Sequence, residues 1–107
     1  MELIGKLYGG PAEESGIISV LVYIAFYREG IIATKVKMKK ETEYFRLKYN
    51  DVRSVEYRAP GFMKRGGMTI LLRSLPKYEN YFMFDVTKDN AEMCERIRDH
   101  INSIISF

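Results

Sequence analysis

The chain has no tryptophan, one cysteine, one histidine and three prolines in 107 residues. A single cysteine excludes an intrachain disulfide. With one histidine beside it, no Cys/His cluster reaches metal-ligand spacing, so neither metal nor cofactor is expected. Cys94 falls on an apolar helical face and reads as a small core residue. His100 sits beside Asp99 on a helix flank, where a surface residue is the simpler reading than a general base. No Ser, Cys or Thr lies in a nucleophile motif. Gly66 and Gly67 follow Lys64 and Arg65, but outside the strand–loop–helix setting of a phosphate cradle. A non-catalytic chain is expected.

Long apolar runs are also missing. The longest, Ile17 to Tyr27, is broken by Ser19 and is too short to span a bilayer. Met1 to Gly10 lacks the basic start and apolar centre of a signal peptide. These features predict a cytoplasmic protein, with any membrane contact peripheral and on the inner face.

What is present is a segregated charge and an alternating pattern. The net charge is +3. Residues 1–34 carry two basic and four acidic side chains, net −2; residues 35–77 carry twelve and four, net +8; residues 78–107 carry three and six, net −3. A basic middle between mildly acidic ends fits either a solvated sheet face or an anionic partner.

The end of the chain, Thr87 to Phe107, reads as one amphipathic helix. Ala91, Met93, Cys94, Ile97, Ile101, Ile104 and Ile105 fall within an arc of about 160°. Asp89 and Glu92 have capping-box spacing. Upstream, about seven segments alternate like strands: Glu2–Tyr8, Ile17–Tyr27, Ile31–Lys39, Glu43–Tyr49, Val52–Arg58, Met68–Arg73 and Tyr81–Val86. Arg28-Glu29-Gly30 reads as a three-residue hairpin turn with Gly30 left-handed. Lys39 to Thr42 is the next turn, Pro11–Gly16 and Arg58–Gly67 are long loops, and Ser74–Asn80 turns through Pro76. Ile32, Val36 and Met38 are expected inside, against Lys35, Lys37 and Lys39 outside. Loops this short imply antiparallel neighbours. The fold class expected for residues 1–107 is a single mostly-β α+β domain, a curled sheet or partial barrel of about seven antiparallel strands closed by the terminal helix.

That order of elements is the order of the pleckstrin-homology-like superfold, and two stretches resemble its bacterial PH-like and GRAM-type members. In FRLKYNDVRSVEY, Phe45 to Tyr57, a strand ends in Tyr49, Asp51 follows, and Val52 and Val55 open the next strand. In YREGIIA, Tyr27 to Ala33, an EGI piece opens the third strand. The resemblance covers roughly residues 17–105 and implies a PH-like fold. Asp51 has its own physical reading, a corner carboxylate accepting N–H bonds from the residues after it.

The resemblance also implies a binding module, and three partner classes follow from the residues. PH-like domains bind proteins along a sheet edge or helix groove, and self-association is one form of that. Phosphoinositide-binding members resembling this fold place basic residues between the first two strands, where this chain has Glu13 and Glu14 and no Lys or Arg. A substitute for anionic lipid headgroups is the loop carrying Phe62, Met63, Lys64 and Arg65. A nucleic acid would use the stripe Lys35, Lys37, Lys39, Arg46 and Lys48, with Tyr44 for stacking.

Overall fold

A computed structural model describes residues 1–8, 21–73 and 81–105. The order is β1 (Leu3–Tyr8), β2 (Leu21–Tyr27), β3 (Ile31–Lys37), β4 (Lys40–Leu47), a 3-10 turn at Tyr49–Asp51, β5 (Val52–Arg58), β6 (Gly66–Leu72), β7 (Tyr81–Val86) and α1 (Ala91–Ile105). The expected strand residues 17–20, the 11–16 loop, the 74–80 turn and the helix end at 106–107 lie outside the described residues.

The strands form two antiparallel sheets, one of four in the order β1-β2-β3-β4 and one of three in the order β5-β6-β7. Among the described residues no ladder joins one sheet to the other, so the α+β class and terminal helix stand, but the strands do not form one closed barrel. Helix α1 presents Cys94, Ile97 and Ile101, all fully buried, to a core that includes Ile24, Phe26, Val52, Ile70 and Phe82. Each such aliphatic side chain contributes about 1.5–3 kcal/mol of burial. At Gly5 in β1, an added Cβ would lie 2.6 Å from Met93 and 3.0 Å from Ile97, which shows how closely the helix rests on that strand.

Local chemistry fixes the joints. Asn90 forms the helix start: its carbonyl accepts from Cys94 N–H at 2.9 Å. Its side-chain oxygen accepts from Thr87 N–H at 2.7 Å and its amide donates to the Asp85 carbonyl at 3.1 Å. The boundary residue is therefore Asn90 and not Asp89. At the β4–β5 corner, Asp51 Oδ2 accepts the Lys48 N–H at 3.0 Å, while Asp51 N–H donates to the Lys48 carbonyl at 2.9 Å. The carboxylate thus fixes the bend as expected, although its donor precedes it in the chain. Tyr49, buried beside the corner, donates its hydroxyl proton to the Tyr27 carbonyl.

Three turn and strand expectations are corrected. Gly30 is not in the left-handed region; its role is steric, because a Cβ there would meet the Leu47 carbonyl oxygen at 2.8 Å. The β3–β4 turn is Met38-Lys39, with φ of 51° and 66°, and not Lys39–Thr42. Gly66 and Gly67 belong to β6 instead of the loop, and a Cβ at Gly66 would meet the Arg58 carbonyl oxygen at 2.2 Å.

Candidate functional site

One recess is a cleft of about 760 Å³ bordered by the end of β1, the three-stranded sheet and the start of α1. Lys6 and Tyr8 border it on one side, Glu56 and Arg58 on β5, Met83 and Asp85 on β7. Among the described residues β1 and β7 are both edge strands, each hydrogen-bonded to one neighbouring strand. Tyr8 is 59% exposed and Met83 61% exposed. Tyr8 packs edge-on against Tyr23 with ring centroids 5.8 Å apart, and the Lys6 ammonium lies 4.6 Å from the Tyr23 centroid. Tyr57, on the inner wall, stacks under the Arg98 guanidinium at 4.7 Å. Burial pushes the Tyr57 phenol above its usual range, with Glu95 adding to the effect and Arg98 opposing it. Lys6 and Tyr8 share one face of β1, Met83 and Asp85 one face of β7, and all four border the same cleft, which the sequence does not reveal because β1 and β7 lie far apart in the chain.

The second feature is the 61–64 hairpin. Gly61 N–H donates to the Lys64 carbonyl at 3.0 Å and Lys64 N–H to the Gly61 carbonyl at 3.3 Å, closing a two-residue turn. Its central residues are Phe62 and Met63, 88% and 91% exposed. Only Met63 has positive φ, 61°, the pattern of a type II turn, whose second central position favours Gly or Asn. Lys64 and Arg65 are exposed, and with Lys88 they border a shallow hollow of about 250 Å³ behind the apex. Arg65 reaches Asp85 at 3.3 Å, an exposed pair of small energetic weight. Phe62, Met63, Lys64 and Arg65, read from the sequence as one candidate element, do sit together.

The basic stripe does not form one track. Register pairs Ile32 with Arg46 and Ala33 with Phe45, so Arg46 lies on the outer face with Ile32. Ile31 and Ala33 are buried, which places Lys35 and Lys37 on their side of β3. The expectation of Ile32, Val36 and Met38 inside holds only in part: Ile32 and Val36 are half-buried, Met38 is 83% exposed at the turn, and the fully buried Ile31 and Ala33 lie on the other side, while Lys37 and Lys39 are exposed. The Lys35 ammonium lies 3.8 Å from the Tyr44 centroid, and Arg46 Nε pairs with Glu43 Oε1 at 2.6 Å. Lys37 and Lys39 flank the Met38 turn, while Lys48 sits at the far end of β4.

The lone histidine and the lone cysteine both sit against the packed interior. His100 Nε2 lies 2.9 Å from the Arg28 carbonyl and its ring meets Tyr49 edge-on at 5.2 Å. The histidine is half-buried and ties α1 to the β2–β3 turn, a structural part that local sequence does not signal. Burial pushes the Cys94 thiol up, with Glu95 adding to it, away from the reactive thiolate. Among the described residues no group of three His, Cys, Asp or Glu side chains is placed to hold a metal ion, and no helix is long and apolar enough to cross a membrane. Comparison with known protein families, with curated proteins and with solved structures finds no match to this chain.

Proposed function

We propose that this chain is a non-catalytic binding module of the pleckstrin-homology-like kind, acting through protein–protein contact, with a second copy of itself as the first partner. The four-plus-three strand order followed by one helix supports the PH-like reading. The cleft between edge strands β1 and β7 carries the interaction reading. Its lining combines the exposed Tyr8 and Met83 with two cations, Lys6 and Arg58, and two anions, Glu56 and Asp85. Apolar groups mixed with charged ones are the composition of a protein interface. A lining that holds both signs allows pairing about a two-fold axis, a cation of one copy against an anion of the other. Nucleic acid is the weaker reading, because the candidate cations divide between two faces of the sheet.

Light scattering on a sizing column, at low and high salt and across a range of loadings, tests the proposal. The expected result is a salt-resistant dimer that becomes a monomer in the Tyr8→Lys, Met83→Lys double variant. A wild-type chain that stays monomeric at every loading sinks the self-association reading.

A further inference from the structure

The 61–64 hairpin lies outside the cleft, touching it only where the following Arg65 pairs with Asp85, and its chemistry is different. We infer that the Phe62–Met63 apex is a peripheral membrane anchor, inserting both side chains into the interface of an anionic bilayer while Lys64, Arg65 and Lys88 meet the headgroups.

Three observations carry this. First, the apex is convex. Phe62 and Met63 stand almost wholly in solvent at the end of a two-residue turn, with Met63 at the edge of the shallow hollow behind it. A rigid protein surface would need a pocket shaped for both; a bilayer interface receives a convex apolar wedge without one. Second, Met63 occupies a left-handed position that glycine fills without strain. Packing does not offset that strain, since the side chain touches little of its own protein. A long, flexible thioether held there finds its use outside the fold. Third, the cations stand directly behind the apex. Lys64 and Arg65 follow Met63 in the chain, and Lys88 comes in from the β7–α1 link to border the same hollow. Asp85 faces Arg65, and Asp89 follows Lys88 in sequence, so the collar is positive but not uniformly so. Basic side chains near an anionic leaflet each contribute about 1 kcal/mol, roughly a fivefold change in partitioning.

The base of the hairpin suits insertion. Gly66 brings β6 hard against the backbone of Arg58, Ala59 and Pro60, so the apex projects from a tightly crossed stem. Phe62 and Met63 are thus presented by backbone geometry and need no rearrangement to reach a surface.

The test is co-sedimentation of the full chain with vesicles of phosphatidylcholine alone and of phosphatidylcholine mixed with phosphatidylserine. The chain should pellet with the mixed vesicles, weakly or not at all with the neutral ones, and less as salt is raised. Phe62→Ser with Met63→Ser should lower binding about tenfold or more. Lys64→Glu with Arg65→Glu should do the same and remove the salt dependence. Met63→Gly separates anchoring from folding: it relieves the left-handed residue, so it should melt no lower than wild type and still bind vesicles less. A wild-type chain that ignores phosphatidylserine vesicles overturns the inference, and so does vesicle binding that survives the Phe62, Met63 double variant. If that variant changes the mass on the sizing column and leaves vesicle binding intact, the apex is a protein contact and the inference fails. The dimer measurement at the cleft uses Tyr8 and Met83 variants, which leave the 61–64 hairpin unchanged, so the two readings fail separately.

Discussion

Replacing Gly30 by alanine separates two reasons why a glycine sits at a turn. In the sequence, Arg28-Glu29-Gly30 has the form of a hairpin whose last residue is left-handed, and there asparagine substitutes for glycine at small cost. In the structure Gly30 has no positive φ, and the constraint is the Leu47 carbonyl oxygen 2.8 Å from where a Cβ would sit. An ordinary carbon–oxygen approach is about 3.3 Å, so β3 and the end of β4 must part by about 0.5 Å. That movement is resisted on three sides. Ile31 pairs with Leu47 in the ladder, Tyr27 N–H donates to the Gly30 carbonyl at 2.9 Å, and Tyr49 just beyond Leu47 donates to the Tyr27 carbonyl. Forcing an extra methyl into such a contact costs about 1–3 kcal/mol. In a urea titration of a domain this size, the midpoint should fall by roughly 1 M. Gly30→Asn should be as damaging as Gly30→Ala, because both carry a Cβ. An asparagine variant close to wild type beside a destabilised alanine variant would restore the left-handed explanation. An alanine variant with an unchanged midpoint would refute the contact argument outright.

Other perturbations test other joints. Ile101→Ala removes a fully buried side chain of α1 from the core and should cost about 2–5 kcal/mol in denaturant unfolding. Asp51→Ala leaves the Lys48 N–H without its carboxylate partner and should cost about 0.5–2 kcal/mol, comparable to loss of a helix cap. Tyr49→Phe removes the hydroxyl that donates to Tyr27 and should cost about 1 kcal/mol near neutral pH. Burial, and then Glu29, push the Tyr49 phenol well above its ordinary 10.0. The folded state therefore keeps a proton that the unfolded state releases, so this group's stabilisation is complete below pH 10 and declines as pH rises beyond it. Melting curves taken across that range should converge for wild type and Tyr49→Phe as alkalinity grows; a constant gap would count against a buried neutral phenol.

The sequence announces some of this architecture because certain patterns are local. The apolar face of α1 repeats at helical spacing, and of the seven residues that pattern selects, Cys94, Ile97 and Ile101 are fully buried while Ala91, Met93, Ile104 and Ile105 are partly buried against the core. The alternation in β6 and β7 works equally well, with Met68, Ile70, Phe82 and Phe84 inside. β3 shows where local pattern fails. Its even positions, Ile32, Val36 and Met38, are the more apolar set, yet the odd set is buried at Ile31 and Ala33. Register decides: Ile31 pairs with Phe26 and Ala33 with Ile24, two residues wholly inside, and neighbours across a ladder share a face. Beyond Ala33 the β4 side slips by one residue at Tyr44, and the strand runs out to the Met38 turn. Lys35 and Lys37 share the Ile31 and Ala33 side while Arg46 pairs with Ile32, so a stripe that looks continuous as text is divided between two faces. The candidate sites follow the same rule. Phe62 to Arg65 is legible because the four residues are consecutive, at and just after one short turn, although the projection of that turn depends on the close approach at Gly66. The cleft is illegible from sequence because it joins Tyr8 to Met83, residues that only the two-sheet packing brings to one recess. A contact surface assembled from distant strands needs the fold before it can be seen, whereas an anchor built on one hairpin needs only the turn.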